Sequence, residues 1–224
     1  MLERRGFLGA VLGAGMAPWL VGKSESRKVG MKSVLASDLP TFRPSVETWD
    51  MSWLDRLTGK HKQVFDFTDL ERGLVVVKNW FDAHEEVLHL KHPDVNAVVG
   101  IAARGFPVNA TDQLYQKFPI GELWKVNDPE TGKPALRNVF LDGGKAPPFI
   151  GAGVRALQSR GAIFWMCNNA LHGVSARIGD AVKRPEPEVY AELRAGLNPG
   201  VILVPAHTML IGLCQDRGCA YEAI

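Results

Sequence analysis

Cysteine is scarce here, with three in 224 residues. So small and odd a number excludes a disulfide-stapled scaffold and leaves at least one thiol unpaired. An excess of charge of one sign is also lacking. Twenty-six Lys and Arg against 24 Asp and Glu leave a net charge of +2, too little for an electrostatic footprint on nucleic acid. No internal repeat is visible, so solenoids and propellers are excluded. What remains is ordinary for a globular chain: 46% apolar and 22% charged residues, long enough for one sizeable core or two small ones.

The first residues stand apart from this average. Arg4 and Arg5 are adjacent, and Phe7 and Leu8 follow after one glycine. From Phe7 to Val21 the chain carries no charge, and Gly9, Gly13 and Gly15 keep that run only weakly hydrophobic. Such a stretch has the length of a signal-sequence core and is short for a membrane span. Two arginines ahead of a weakly apolar run read as a twin-arginine export signal over residues 1–36, which places the mature protein in the periplasm. Val34-Leu35-Ala36 before Ser37 offers small residues where a signal peptidase reads them. Contact with the membrane is expected only if the signal stays uncut as an anchor.

Residues 37–60 mix proline, serine and charge with Trp49 and Trp53, and read as an extension or linker that then packs on the domain surface. From residue 61 to 224 the pattern becomes regular. The alternation of 62–67 predicts a strand, the apolar spacing of 71–90 a helix, and the unbroken apolar run of 95–103 a strand buried on both faces. A short helix is expected over 109–124, an irregular insertion over 125–148, and a helix over 149–160 closed by Gly161. Strands at 162–166, 201–204 and 219–224 then alternate with helices from 168, over 188–195 and over 206–217. Strands alternating with helices imply crossover units, and so a three-layer α/β/α fold around a mostly parallel sheet.

In such a sheet, reactive groups gather at the carboxyl ends of the strands, where helices begin. Cys167 is placed there, after the strand and just before a helix. Free amides and a partial positive charge at a helix N-terminus favour a thiolate over a thiol, which makes Cys167 a candidate nucleophile or sulfur carrier. Asn168 and Asn169 can cap that helix and donate to a bound group. His207 follows another strand end on the same sheet edge, where it can reach a site shared with Cys167. His172 lies five residues beyond Cys167, about 1.4 turns on and off to one side. Glu85, His89 and His92 fall at helical spacing and are weak metal candidates; as exposed residues near a helix end they have a simpler explanation. Cys214 and Cys219, separated by a turn at Gly218, are expected to be buried and unpaired, with a disulfide conceivable. Asp142-Gly143-Gly144-Lys145 lacks the spacing of a phosphate loop and reads as a turn. No cofactor is expected.

Several of these segments together resemble a known family. Cys167-Asn168-Asn169-Ala170-Leu171, Pro199-Gly200-Val201, Val204-Pro205 and Gly218-Cys219-Ala220-Tyr221 are similar to the pattern of the DsrE/DsrF/YchN-like family, with Ala170 in place of a threonine. The match is firm over 149–224 and looser over 61–124. The resemblance implies a DsrE/YchN-like domain over 61–224, assembled as a trimer or hexamer. It also implies a cysteine at the position of Cys167 that carries a persulfide between a sulfur donor and an acceptor protein. The twin-arginine leader separates this chain from the family's cytoplasmic relay partners. Two functions follow: a periplasmic sulfur carrier working through Cys167, or a non-catalytic oligomeric binding or accessory protein using the same sheet edge.

Overall fold

The computed structural model describes residues 48–224. The arginine pair, the apolar run and the candidate cleavage point lie outside the described residues. Five strands form one sheet: β1 (His61–Phe67), β2 (Val95–Ile101), β3 (Ile163–Cys167), β4 (Val201–Val204) and β5 (Ala220–Ala223). Their order is β4-β3-β2-β1-β5, and every pairing is parallel. The expected α/β fold is therefore present, and the sheet is parallel throughout.

The strands sort their side chains by alternation, which divides the core in two. Phe65 and Phe67 of β1, Val99 and Ile101 of β2, and Phe164 and Met166 of β3 face one layer. That layer holds α1 (Gly73–Leu88), α2 (Phe106–Asn109), α3 (Asp112–Lys117), α4 (Ile120–Trp124), α5 (Val154–Ser159), α6 (Asn168–Val182) and α7 (Glu186–Ala195). Val64, Val98, Trp165 and Val204 face the other layer, which among the described residues is thinner and made of α8 (His207–Asp216) and a single turn of 3-10 helix over Ser52–Arg56. Trp53, Leu54 and Leu57 are buried beneath that turn, so the described part of the extension supplies core. Burial of each large apolar side chain stabilises the fold by about 1.5–3 kcal/mol. Among the described residues, no helix is long and apolar enough to cross a membrane.

Two expected helices are corrected. The one over 109–124 is two short helices, α3 and α4, which follow the end of α2 at Asn109. Pro119 forces Phe118 into an extended conformation, and Ala110 and Thr111 are extended as well. The one over 149–160 begins only at Val154. Gly151 has a positive φ of 73°, and a Cβ on Gly153 would meet the Asp142 carbonyl carbon at 2.3 Å. The chain there passes against the backbone of 142–143 and cannot coil.

The insertion at 125–148 is irregular, as expected, but it is pinned to the body of the domain. Asp128 takes two hydrogen bonds from Arg137, at 2.7 and 3.2 Å. Asn138 is buried and donates to the carbonyls of Val108 (3.1 Å) and Ala110 (2.6 Å), while its Oδ1 accepts from the Phe140 amide. One asparagine thus holds the insertion to the segment that follows β2. Removing it leaves the buried Ala110 carbonyl without that donor. Asn138→Ala should lower unfolding free energy by about 1–3 kcal/mol, read as an earlier urea midpoint with unchanged slope.

Candidate functional site

The carboxyl edge of the sheet gathers the candidate residues. Cys167 ends β3, lies in register with Val204 at the end of β4, and serves as the N-cap of α6. Its sulfur accepts an N–H bond from Ala170 at 3.4 Å, within the first turn of α6. It accepts a second from the backbone N–H of His207 at 3.2 Å, at the start of α8. Two helix N-termini therefore converge on one sulfur. The residue is only 4% exposed.

Beside the sulfur runs a chain of side chains on the thin face of the sheet. Parallel register sets Asp66 of β1 next to Gly100 of β2, and Gly100 next to Trp165 of β3. The His207 imidazole spans this row. Its Nε2 lies 2.9 Å from Asp66 Oδ1, and its Nδ1 takes a hydrogen bond from the Trp165 indole N–H at 3.1 Å. The indole can only donate, so Nδ1 is the acceptor and the ring proton sits on Nε2, donated to Asp66. The Tyr221 hydroxyl donates to the other Asp66 oxygen at 2.9 Å. The same bond to the Asp66 carboxylate pushes the Tyr221 phenol above its ordinary pKa. Gly100 makes room for the row: a Cβ there would stand 2.4 Å from the Trp165 ring and 3.0 Å from His207 Cε1.

The expected participants divide accordingly. His207 does reach Cys167, but through its backbone amide; both ring nitrogens are committed elsewhere. Asn168 is buried and accepts a 2.6 Å hydrogen bond from the Tyr190 hydroxyl, while Asn169 is exposed on the first turn of α6. His172 pairs with Glu186 at 2.9 Å and stacks on Tyr190 with ring centroids 4.0 Å apart, so its contacts run to α7 and not to the thiol. The shared helical face proposed for Glu85, His89 and His92 does not exist. The helix α1 ends at Leu88, His89 turns left-handed with φ 56°, and His92 packs against Gly161. The Glu85 carboxylate is taken by Lys91 at 2.8 Å. Among the described residues, no group of three His, Cys, Asp or Glu side chains could hold a metal ion. Asp142 to Lys145 is irregular backbone with Gly143 at φ 77°, and its charges are taken, Asp142 by Arg155 and Lys145 by Glu130.

Asp66 and Gly100 are not singled out by the sequence, and Tyr221 enters there only as the end of the motif Gly218-Cys219-Ala220-Tyr221. A carboxylate inside a strand and a glycine in an apolar strand interior were the available signals, the latter a mark of close approach.

No family model matches the chain, and no curated protein does. A solved structure of a protein of unknown function from Methanobacterium thermoautotrophicum is similar at 18% identity, covering 73% of this chain and 99% of that one with a TM-score of 0.38. So distant a likeness does not bear on function.

The geometry at Gly100 can be tested directly. Gly100→Ala should lower stability by about 1–3 kcal/mol by overpacking against Trp165 and His207. Gly212→Ala is the control: it lies within α8, a Cβ there meets nothing within 4 Å, and the change should stabilise by about 0.5–1 kcal/mol. Thermal unfolding of the two variants should shift in opposite directions.

Proposed function

We propose that the protein is an exported, oligomeric DsrE-like protein that handles sulfur through Cys167. The observation that carries this reading is the convergence of the Ala170 and His207 amides on the Cys167 sulfur. Donors at helix N-termini suit an anionic sulfur, whether thiolate or persulfide, better than a neutral one. The His207 ring is not the base, because neither ring nitrogen is free. The thiol proton passes to water. The thiolate then attacks the terminal sulfane sulfur of an inorganic polysulfide. A sulfur–sulfur bond forms on Cys167, the bond inside the polysulfide breaks, and its electron pair leaves with the shortened chain. An acceptor thiol takes the sulfur by the reverse exchange. The resemblance over 149–224 supports a trimeric or hexameric assembly, and the arginine-led leader supports a periplasmic address.

A second reading draws on the 4% exposure of Cys167. A sulfur that exchanges with another protein must be reachable by that protein's thiol. Burial favours an accessory role in which Cys167 caps α6 and the strand ends hold a ligand without turnover. The two readings separate on one measurement. After treatment with inorganic polysulfide, the tryptic peptide 161–177 should carry one added sulfur on Cys167, and Cys167→Ser should carry none. If that peptide stays unmodified while Cys167 is free to alkylation in denaturant, the carrier reading is overturned and the accessory reading stands. The address has its own test. Replacing Arg4 and Arg5 together by lysine should leave the chain in the cytoplasmic fraction, and undiminished export would refute the twin-arginine route.

A further inference from the structure

A second pair of sulfurs lies at the far end of α8, and nothing in the reading of Cys167 uses it. The helix ends at Asp216, Arg217 caps it, and Gly218 follows with φ 81°. The Gly218 amide donates to the Gln215 carbonyl at 2.8 Å and the Cys219 amide to the Cys214 carbonyl at 3.0 Å. These two bonds define a Schellman motif, whose geometry brings the residue three positions from the helix end against the second residue beyond its cap. A pair of apolar side chains usually makes that contact. Here the two residues are Cys214 and Cys219, both in the core of the thin layer and both free thiols.

We propose that Cys214 and Cys219 form a redox-active dithiol that closes to a disulfide across the end of α8. The motif sets the two residues against each other at the end of the helix. The neighbouring Cys214 thiol holds the Cys219 thiol below its ordinary pKa, helped by Lys62 and Arg217 and opposed by burial. Cys219 in turn, together with burial, pushes the Cys214 thiol up. Lys62 is at hand: a Cβ on Gly218 would lie 3.8 Å from its Nζ. The roles are therefore unequal. Cys219 is the attacking sulfur, 6% exposed between exposed neighbours Gly218 and Ala220, and Cys214 is the resolving one, fully buried behind it.

The oxidant is the disulfide of a small thiol such as glutathione, which can reach a sulfur too buried for a protein thiol. The Cys219 thiolate bonds to one sulfur of it, and the other sulfur leaves with the electron pair as a thiolate. Cys214 gives its proton to that thiolate and attacks the Cys219 sulfur, expelling the second half of the oxidant. Two electrons pass from the protein pair to the oxidant, and one disulfide replaces another. The new bond braces α8, which begins at His207, against β5, which carries Tyr221, so it ties together two elements that hold the network around Asp66.

The full chain is equilibrated across ratios of reduced to oxidised glutathione, quenched in acid, unfolded, alkylated and digested with trypsin. Cleavage after Arg217 puts the two cysteines on separate peptides, 195–217 and 218–224, so a disulfide appears as a linked pair lighter by two hydrogens. The expected result is that both cysteines lose alkylation together in one two-electron transition, unchanged in Cys167→Ser. In Cys214→Ala the reaction should stop with one glutathione on Cys219, while in Cys219→Ser the remaining Cys214 should take up none. Cysteines that stay alkylatable at every ratio in the wild-type chain would overturn the proposal, as would a linkage of either to Cys167. The wild-type measurement decides the matter even if a variant fails to fold. Its failure would leave the Cys167 reading untouched, because that reading is scored on a different peptide.

Discussion

The absence of a side chain at Gly100 is the constraint on which the site depends. Strand β2 is buried at all seven positions, and any other residue at 100 would put its Cβ into the Trp165 ring. With that space empty, Trp165 lies over the strand and the His207 ring bridges from it to Asp66. The row is made by parallel register alone, since Asp66, Gly100 and Trp165 are neighbours across three strands. His207 then fixes where α8 starts, and the start of α8 delivers the amide that meets Cys167. Packing at one glycine thus propagates through a hydrogen-bonded chain to a sulfur on another strand.

The asymmetry of the two layers shows why this matters. Among the described residues, seven helices cover one face of the sheet, while α8 and one 3-10 turn cover the other. Within that layer the middle of α8 is held by Leu210, buried against the sheet, and its two ends are held by specific contacts. At the N-terminus these are the His207 bonds to Asp66, Trp165 and Cys167. At the C-terminus they are the Schellman bonds around Gly218 and the packing of Cys214 and Cys219. Sulfur thus lies at both ends of one helix: Cys167 accepts the His207 amide at its start, and Cys214 and Cys219 meet across the Schellman turn at its end.

The sequence shows the sheet more clearly than the site. The strands announce themselves through apolar runs such as 95–101 and 201–204, and Cys167 through its place between a strand and a helix. Helices fail where local chain stiffness decides, as at Pro119, or where backbone must pass close to backbone, as at Gly153. The Asp66–His207–Trp165 chain was illegible because its members come from β1, β3 and α8, and their meeting depends on register that no local pattern encodes. His207 was legible as to place but not as to role. Its ring would be the obvious partner for a thiol, and only the indole donor at Nδ1 and the carboxylate at Nε2 show that both nitrogens are taken. Glu85, His89 and His92 show the opposite failure. Their spacing is helical, but the helix stops at Leu88 before the spacing can act.

Because the donors to Cys167 are backbone groups, they persist through any substitution that keeps the fold. A serine at 167 remains an acceptor for the Ala170 and His207 amides, and serine is among the preferred helix N-caps. The exchange of sulfur for oxygen is thus close to isosteric at a position where the structural duty is to accept two N–H bonds. A cysteine kept only to cap α6 would be replaced by serine at little cost, and a cysteine kept for its sulfur would not. The structural role and the chemical role of Cys167 are separable by one atom, and the separation follows from the amides that surround it.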